Sequence, residues 1–321
     1  MSRHATGWPE PGPVPPPLPQ DQVLRSGAVT FPGVFDQHGC PLVIFPADAQ
    51  ARLSELSKAQ VVDFINYFQC VHNKKQEKQR LLSVVADLRQ ASLSTTRFIV
   101  ETLHLLEFHK RKVHSVYIIQ PKKKDVAKLL LKLLTPSKSC TVTFRKIFLK
   151  DIPEVSNYID RSQIPASLGG YFRYCHQSWV SFIKEIDAFV QEFLSVVQRL
   201  PSCVFSLQAL SRLPLPSRLS ELQQFCNANE ARFLQLRREL GLDELLRHCE
   251  AVIEKLRSPD REPCYQAVAG TPLFTHTAFD MLQNHSRILA AVEKLSCCGS
   301  RPFQRPIHSS RSSSYATMLC R

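Results

Sequence analysis

The 321-residue sequence predicts an α/β domain with a mostly parallel sheet, followed by an all-α helical bundle. Three observations carry that expectation. Up to about residue 172, short apolar and β-branched runs alternate with helical stretches, the pattern of parallel strands joined by crossover helices. Beyond that point the strand signal stops, and apolar residues recur at steps of three and four. Proline-bearing breaks then divide the second half into three long helical segments, enough for an antiparallel bundle.

The elements follow in chain order. Residues 1–26, centred on PEPGPVPPPLPQ, predict a disordered leader with polyproline II character, because proline fixes φ and removes backbone donors. Within it, Pro16-Pro17-Leu18-Pro19 is a candidate docking motif for SH3 or WW domains, although such runs are more often plain solvated leaders. Gly27–Phe31 opens an extended run broken by Pro32-Gly33, and Pro41–Phe45 reads as a buried strand. Residues 49–72 predict one helix. Leu81–Ala86 predicts a strand ending at Asp87, and Ser94 is a candidate cap for a helix through about His109. Val113–Gln120 gives the clearest strand signal, followed by a helix over 123–134, a strand over Thr141–Phe148 and a short helix from Ile152 to Ile159.

In the second half, Trp179, Phe182, Ile186, Phe189, Phe193 and Val196 form a narrow helical seam, predicted to face a bundle core. A second seam runs from Leu219 to Leu240, shifts register near Gly241 and resumes from Leu242 to Leu256. Asn229 stands where that seam expects an apolar residue. A weaker helix covers 275–296, and loops are expected at Pro201, at Pro214 and Pro216, and at Pro259 and Pro263. The resulting division is 1–26 leader, 27–172 α/β domain, 173–297 helical region and 298–321 disordered Ser/Arg-rich tail.

Composition narrows the function. The net charge of +13 is uneven. Residues 1–172 hold 23 Lys and Arg against 14 Asp and Glu, residues 173–299 balance at 14 each, and the tail carries four Arg and no acid. A basic excess in one domain favours an anionic partner such as a membrane surface or a phosphorylated lipid. No zinc-finger spacing or RNP-like motif is present, so nucleic acid is not expected. The start lacks the apolar stretch of a secretory signal, and no apolar run suggests a membrane span. The 11 cysteines are scattered and never spaced C-x-x-C, so they read as buried thiols of a cytoplasmic protein and no metal site is expected.

Catalysis is not expected either. The sequence has no G-x-S-x-G, no phosphate-cradling G-x-x-x-x-G-K-[ST] and no H-E-x-x-H. Asp87 at a strand end reads as a turn residue, and His104, His109 and His114 as surface histidines. Gly169-Gly170 reads as a backbone bend. No cofactor is expected. The runs Lys74-Lys75, His109–Lys112 and Lys122-Lys123-Lys124 are a candidate footprint on anionic lipid, set against the commoner reading of a solvated face.

Several of these pieces resemble a known family. Val84-Val85-Ala86-Asp87-Leu88, Val116–Pro121 and KIFLKDIPEVSNYIDRSQIPASLGG (146–170) are similar, in order and spacing, to the strands and closing segment of the CRAL-TRIO (Sec14-like) lipid-binding domain. Together with the helices, residues 27–297 resemble the N-terminal region of puratrophin- or Solo-like Dbl-family Rho exchange factors, where such a domain precedes spectrin-like helices. Trp179 falls in the first of these helices, as the spectrin pattern implies. The resemblance does not extend to the Dbl- and pleckstrin-homology pair that performs nucleotide exchange.

It implies a hydrophobic pocket between sheet and helices, with basic groups meeting a headgroup. By this likeness Lys146 is a headgroup candidate, with Arg145, Arg111, Lys112, Lys122, Lys123 and Lys124 as further lipid or membrane candidates. Phosphoinositide-binding members carry an acidic residue where Arg111 stands, a departure that argues against inositol recognition of the usual kind. The expected function is a non-catalytic regulatory or scaffold protein, cytoplasmic and peripheral at membranes. It would bind anionic phospholipid or a hydrophobic ligand through the first domain, and Rho-pathway or cytoskeletal proteins through the helices. The alternatives are a soluble lipid carrier and a truncated relative that acts only by competition.

Overall fold

The computed structural model describes residues 16–73, 80–109, 112–135, 143–210 and 212–300. At its centre lie four parallel strands in the order β1 (Leu42–Phe45), β2 (Leu82–Asp87), β3 (Val113–Ile119) and β4 (Arg145–Leu149). All residues of β1 and β2 are buried, as expected for strands covered on both faces. The connections hold helices α2 (Lys58–Asn73), α3 (Leu93–His109) and α4 (Lys124–Leu134). A right-handed crossover at each step of a sequential strand order puts all three on the same face. Accordingly α3 packs against both α2 and α4.

The opposite face is closed by the chain after β4. Three short 3-10 segments (Ile152–Asn157, Arg161–Gln163 and Ala166–Leu168) fold back over the sheet. They bring Val155, Ile159, Ile164 and Leu168 onto Ile44, Val85, Tyr117 and Leu149. The Gly169-Gly170 bend uses its two glycines for different reasons. Gly169 has φ +81°, a left-handed conformation. At Gly170 a Cβ would stand 2.0 Å from the Ile164 carbonyl oxygen, so only glycine fits.

Several expectations need correction. Residues 21–26, expected to belong to the disordered leader, form α1 (Asp21–Ser26), whose Val23 and Leu24 are fully buried. The helix expected over 49–72 is split into a 3-10 stretch, Ala47–Glu55, and α2. Ser57 makes the break: its Oγ accepts from the Gln60 amide while the Gln60 side chain accepts from the Ser57 amide, a capping box for α2. The tail after residue 300 and most of the leader lie outside the described residues.

The helices are α5 (His176–Leu210), α6 (Leu219–Leu240), α7 (Leu242–Arg257), the short α8 (Pro263–Val268) and α9 (Pro272–Ser300). α5 does not stop at Pro201. The apolar stripe continues through Leu200, Cys203, Val204 and Leu207, all buried, and this burial outweighs the roughly 3 kcal/mol cost of an internal proline. Arg199 Nε also donates to the Ser195 carbonyl just upstream. By length and composition α5 could cross a membrane, with a mean hydropathy of 1.2 over its most apolar window, of which 22 % is buried in the fold. Gly241, at φ +74°, breaks α6 from α7 where the seam shifts register.

The domain boundary expected at 172/173 also moves. Residues up to Ala188 group with Val252–Met281 as one compact unit, and Phe189–Ala251 group with the chain from Leu282 as the second. Trp179 shows why. Its indole packs at 4.8 Å from the Phe68 ring and 6.3 Å from Phe64, both on α2, and also meets Tyr174 and His176. The seam's first residue therefore belongs to the α/β core rather than to a separate bundle. In the same unit, Phe182 meets Tyr265 edge-on at 5.1 Å, and Lys255 pairs with Glu185 at 2.7 Å. In the second unit, His248 Nδ1 lies 2.7 Å from Glu192, and Arg199 donates to the Glu239 carbonyl.

Candidate functional site

The structure separates the basic residues that the sequence grouped. Lys112 precedes β3 and Lys122 follows it, so a seven-residue strand of about 20 Å stands between them. Lys122, Lys123 and Lys124 are exposed at the carboxyl edge of the sheet, where α4 begins. Lys112 and Arg145 lie at the opposite edge. Lys112 Nζ is held at 2.5 Å by the Asn66 side chain. Lys146 Nζ donates to the Leu134 carbonyl at 2.7 Å, closing the last turn of α4, so the proposed headgroup lysine serves as a helix cap here. Arg145 is exposed, while Arg111, Lys74 and Lys75 lie outside the described residues.

Two other expectations fare differently. Asp87 is buried and serves the turn, taking a bidentate pair from Arg89 at 2.9 and 2.7 Å, while its carbonyl accepts from Gln50. His104 is not a surface histidine: its Nε2 is buried without a partner among the described residues, and desolvation lowers its pKa.

The sheet face that would form the floor of a lipid pocket carries Val155, Ile159, Ile164 and Leu168 directly on the strands. A cleft of about 260 Å³ lies beside it, between Thr30, Pro46, Arg52, Phe172 and His176. That is below the ~300–1,000 Å³ usual for small-molecule pockets. His176 forms its inner wall. Its Nε2 lies 2.6 Å from the Leu24 carbonyl and its Nδ1 2.8 Å from the Tyr174 hydroxyl. Both contacts suit a neutral ring, and desolvation lowers the His176 pKa.

The outer face of α4 has a different character. Its inner residues Val126, Leu130 and Leu134 are buried. Lys124, Lys128, Leu131 and Lys132, at the helical spacing i, i+4, i+7 and i+8, face outward and are exposed. Leu131 is 58 % exposed, and the neighbouring α3 presents Leu105 at 40 % and Phe108 at 82 %. The surface thus combines exposed apolar side chains with a lysine row. Asp125 is the exposed acid on the α4 face, and Glu101 and Glu107 on α3 are half-buried. This grouping was missed because the sequence reading followed contiguous lysine runs. The i, i+4, i+8 spacing was the available signal.

A buried polar cluster lies at the amino edge of the sheet. Asp36 Oδ1 accepts from the amides of His38 and Cys40, each at 2.9 Å. Its Oδ2 accepts from Ser83 Oγ at 2.6 Å and from the Tyr117 hydroxyl at 3.1 Å. Burial, with the Asp36 charge nearby, pushes the Cys40 thiol up to about 11. His114 was expected at the surface but is half-buried beside this cluster, its ring 4.9 Å from that of His38.

Residues 41–177 match the model of the divergent CRAL/TRIO domain, and the parallel sheet, crossover helices and closing segment fit that fold class. The chain is also similar to human puratrophin-1, at 28 % identity over 207 residues that cover 63 % of this chain and 16 % of that protein. Human uncharacterized protein KIAA1755 is 24 % identical over 265 residues, 79 % of this chain and 21 % of the relative. Mouse guanine nucleotide exchange factor DBS is 27 % identical over 122 residues, 38 % of this chain and 10 % of the relative. The relationship to exchange-factor proteins read from the sequence therefore holds, over a stretch that spans about a fifth or less of each relative's length.

Proposed function

We propose that this chain is a non-catalytic membrane-contact and scaffold module of the exchange-factor-related kind, and that it meets anionic lipid with the outer face of α3 and α4. The observation that carries this reading is the exposed row Lys124, Lys128, Leu131 and Lys132, flanked by Lys122 and Lys123. Exposed lysines near an anionic leaflet contribute on the order of 1 kcal/mol each, and exposed apolar side chains add insertion into the interface. The filled sheet face favours surface attachment over carriage of a lipid in a pocket. Protein partners, including components of a Rho pathway, fall to the helices, where α6 leaves Leu219 and Leu234 exposed.

Co-sedimentation of the full chain with phosphatidylcholine vesicles containing phosphatidylserine tests the membrane contact. Binding should fall steeply with salt, and the triple change Lys124→Glu, Lys128→Glu, Lys132→Glu should abolish it. Leu131→Asp should weaken it while leaving the fold intact by circular dichroism. Absence of binding by the unmodified chain at low salt, or binding unaffected by the triple change, would sink the proposal.

A further inference from the structure

We infer that Cys40 and His114, with Asp36 and the adjacent His38, form a binding site for a borderline divalent transition metal such as Zn²⁺. This cluster lies at the amino edge of the sheet, away from Lys122, Lys123 and Lys124 at the carboxyl edge, and offers sulfur and nitrogen ligands rather than surface charge. A carboxylate oxygen of Asp36, the sulfur of Cys40 and a ring nitrogen of His114 lie within 4.8 Å of one another. Tetrahedral zinc, with bonds of about 2.0–2.3 Å, sets its ligands about 3.3–3.7 Å apart, so the site needs to contract by roughly 1 Å.

Backbone features aim these groups. Asp36 and Cys40 stand at the two ends of a tight turn, where the Asp36 amide donates to the Cys40 carbonyl at 3.0 Å and the Gly39 amide to Asp36. His114 comes from a distant part of the sequence. The pairing of β2 with β3 slips between Leu82 and Ser83, which face Val113 and Ser115, so His114 is the extra residue of a β-bulge. A bulge re-aims the side chain of its extra residue, and bulges are over-represented beside functional sites.

The partners already in place suit metal binding. His114 Nδ1 lies 2.9 Å from Ser115 Oγ, which fixes the ring and leaves Nε2 for a metal, the outer-shell arrangement that ligating histidines usually have. His38 is exposed and its ring already touches that of His114, so a side-chain rotation supplies a second imidazole. Asp36 is a buried carboxylate whose four hydrogen-bond donors are all neutral. These donors fill both carboxylate oxygens, so a metal ligated by Asp36 must displace one of them, and the Ser83 and Tyr117 hydroxyls on Oδ2 are the two that come from side chains rather than backbone. Thiolate and imidazole together select zinc-like metals over calcium or magnesium. Binding converts the Cys40 thiol to a thiolate and releases its proton to solvent.

The test uses the reduced full chain, stripped of metal by a chelator, with Co²⁺ as a spectroscopic probe and Zn²⁺ as competitor. A sulfur-to-cobalt charge-transfer band should appear, saturate at one equivalent and be displaced by Zn²⁺. Cys40→Ser should remove the band, and His114→Gln should weaken Zn²⁺ binding by about tenfold or more. Cys70→Ser and Cys175→Ser, at exposed free thiols, should leave it unchanged. Circular dichroism of each variant separates loss of the site from loss of the fold. A band that survives both Cys40→Ser and His114→Gln, or no saturable cobalt signal in the unmodified chain, would overturn the inference.

Discussion

The sheet and α6 bury their apolar residues to very different extents. In β1 and β2 every residue is buried, and the aromatic group of Phe64, Phe68 and Trp179 seals the domain against the start of α5. Over its 22 residues α6 buries Leu236 and Leu240, while Leu219 is 62 % and Leu234 44 % exposed. Asn229 stands in its seam with a buried amide nitrogen that has no partner among the described residues. Both regions carry regular apolar patterns, so periodicity alone does not make a core. A stripe becomes a core only where the opposing surface is apolar and close enough to exclude water.

Four measurements would break or sharpen this contrast. The largest effect is expected for Trp179→Ala, which should cost about 3–5 kcal/mol in urea unfolding because it empties the centre of the aromatic group. Trp179→Phe should cost much less, since the indole N–H is buried without an acceptor among the described residues. A mild effect of Trp179→Ala would mean that α5 is not part of the α/β core.

Next, Gly170→Ala should cost about 3 kcal/mol, as its Cβ would stand 2.0 Å from the Ile164 carbonyl and 2.5 Å from that of Arg161. The closing segment would have to move off the sheet, which increased hydrogen exchange at Tyr171 and Phe172 would report. In the helical unit, Leu236→Ala should cost about 2 kcal/mol and Leu219→Ser no more than about 0.5 kcal/mol. Equal costs for the two would show that α6 has a partner surface over its whole length in solution.

The smallest effect concerns acid. Desolvation, reinforced by the charge of Arg52, holds His176 below its ordinary value of 6.5, against the raising influence of the Leu24 carbonyl. Above 6.5 the ring is neutral in both folded and unfolded chains and makes no difference. As pH falls below 6.5 the unfolded chain takes up a proton first, so stability declines toward the lower folded pKa. Melting temperatures at pH 7.5 and 5.5 should differ less in His176→Gln than in the unmodified chain. An identical difference in both would remove His176 as a source of acid sensitivity.

Much of the architecture was legible in the sequence. The four strands were each expected within a few residues of their observed positions, because a continuous β-branched run such as Val116-Tyr117-Ile118-Ile119 is stable only as a buried strand. The Gly241 break was visible as a register shift. The Pro201 loop failed because local propensity was outvoted by burial on both sides of the proline. The site was less legible. Contiguous lysines suggested one footprint, yet a strand divides them, and Lys146 spends its charge on the carbonyl end of α4.

By itself, the sequence determined the order of strands and helices, the parallel class of the sheet and the likeness to the CRAL/TRIO domain. Those depend on local periodicity and on motifs read along the chain. Only the tertiary structure decided that Trp179 belongs to the α/β core, that the sheet face is filled, and that His114 meets Cys40 and Asp36. The reason is physical: these contacts join residues tens to more than a hundred positions apart. Which distant side chains meet is set by strand register, a single bulge and the path of the closing segment, none of which leaves a periodic trace.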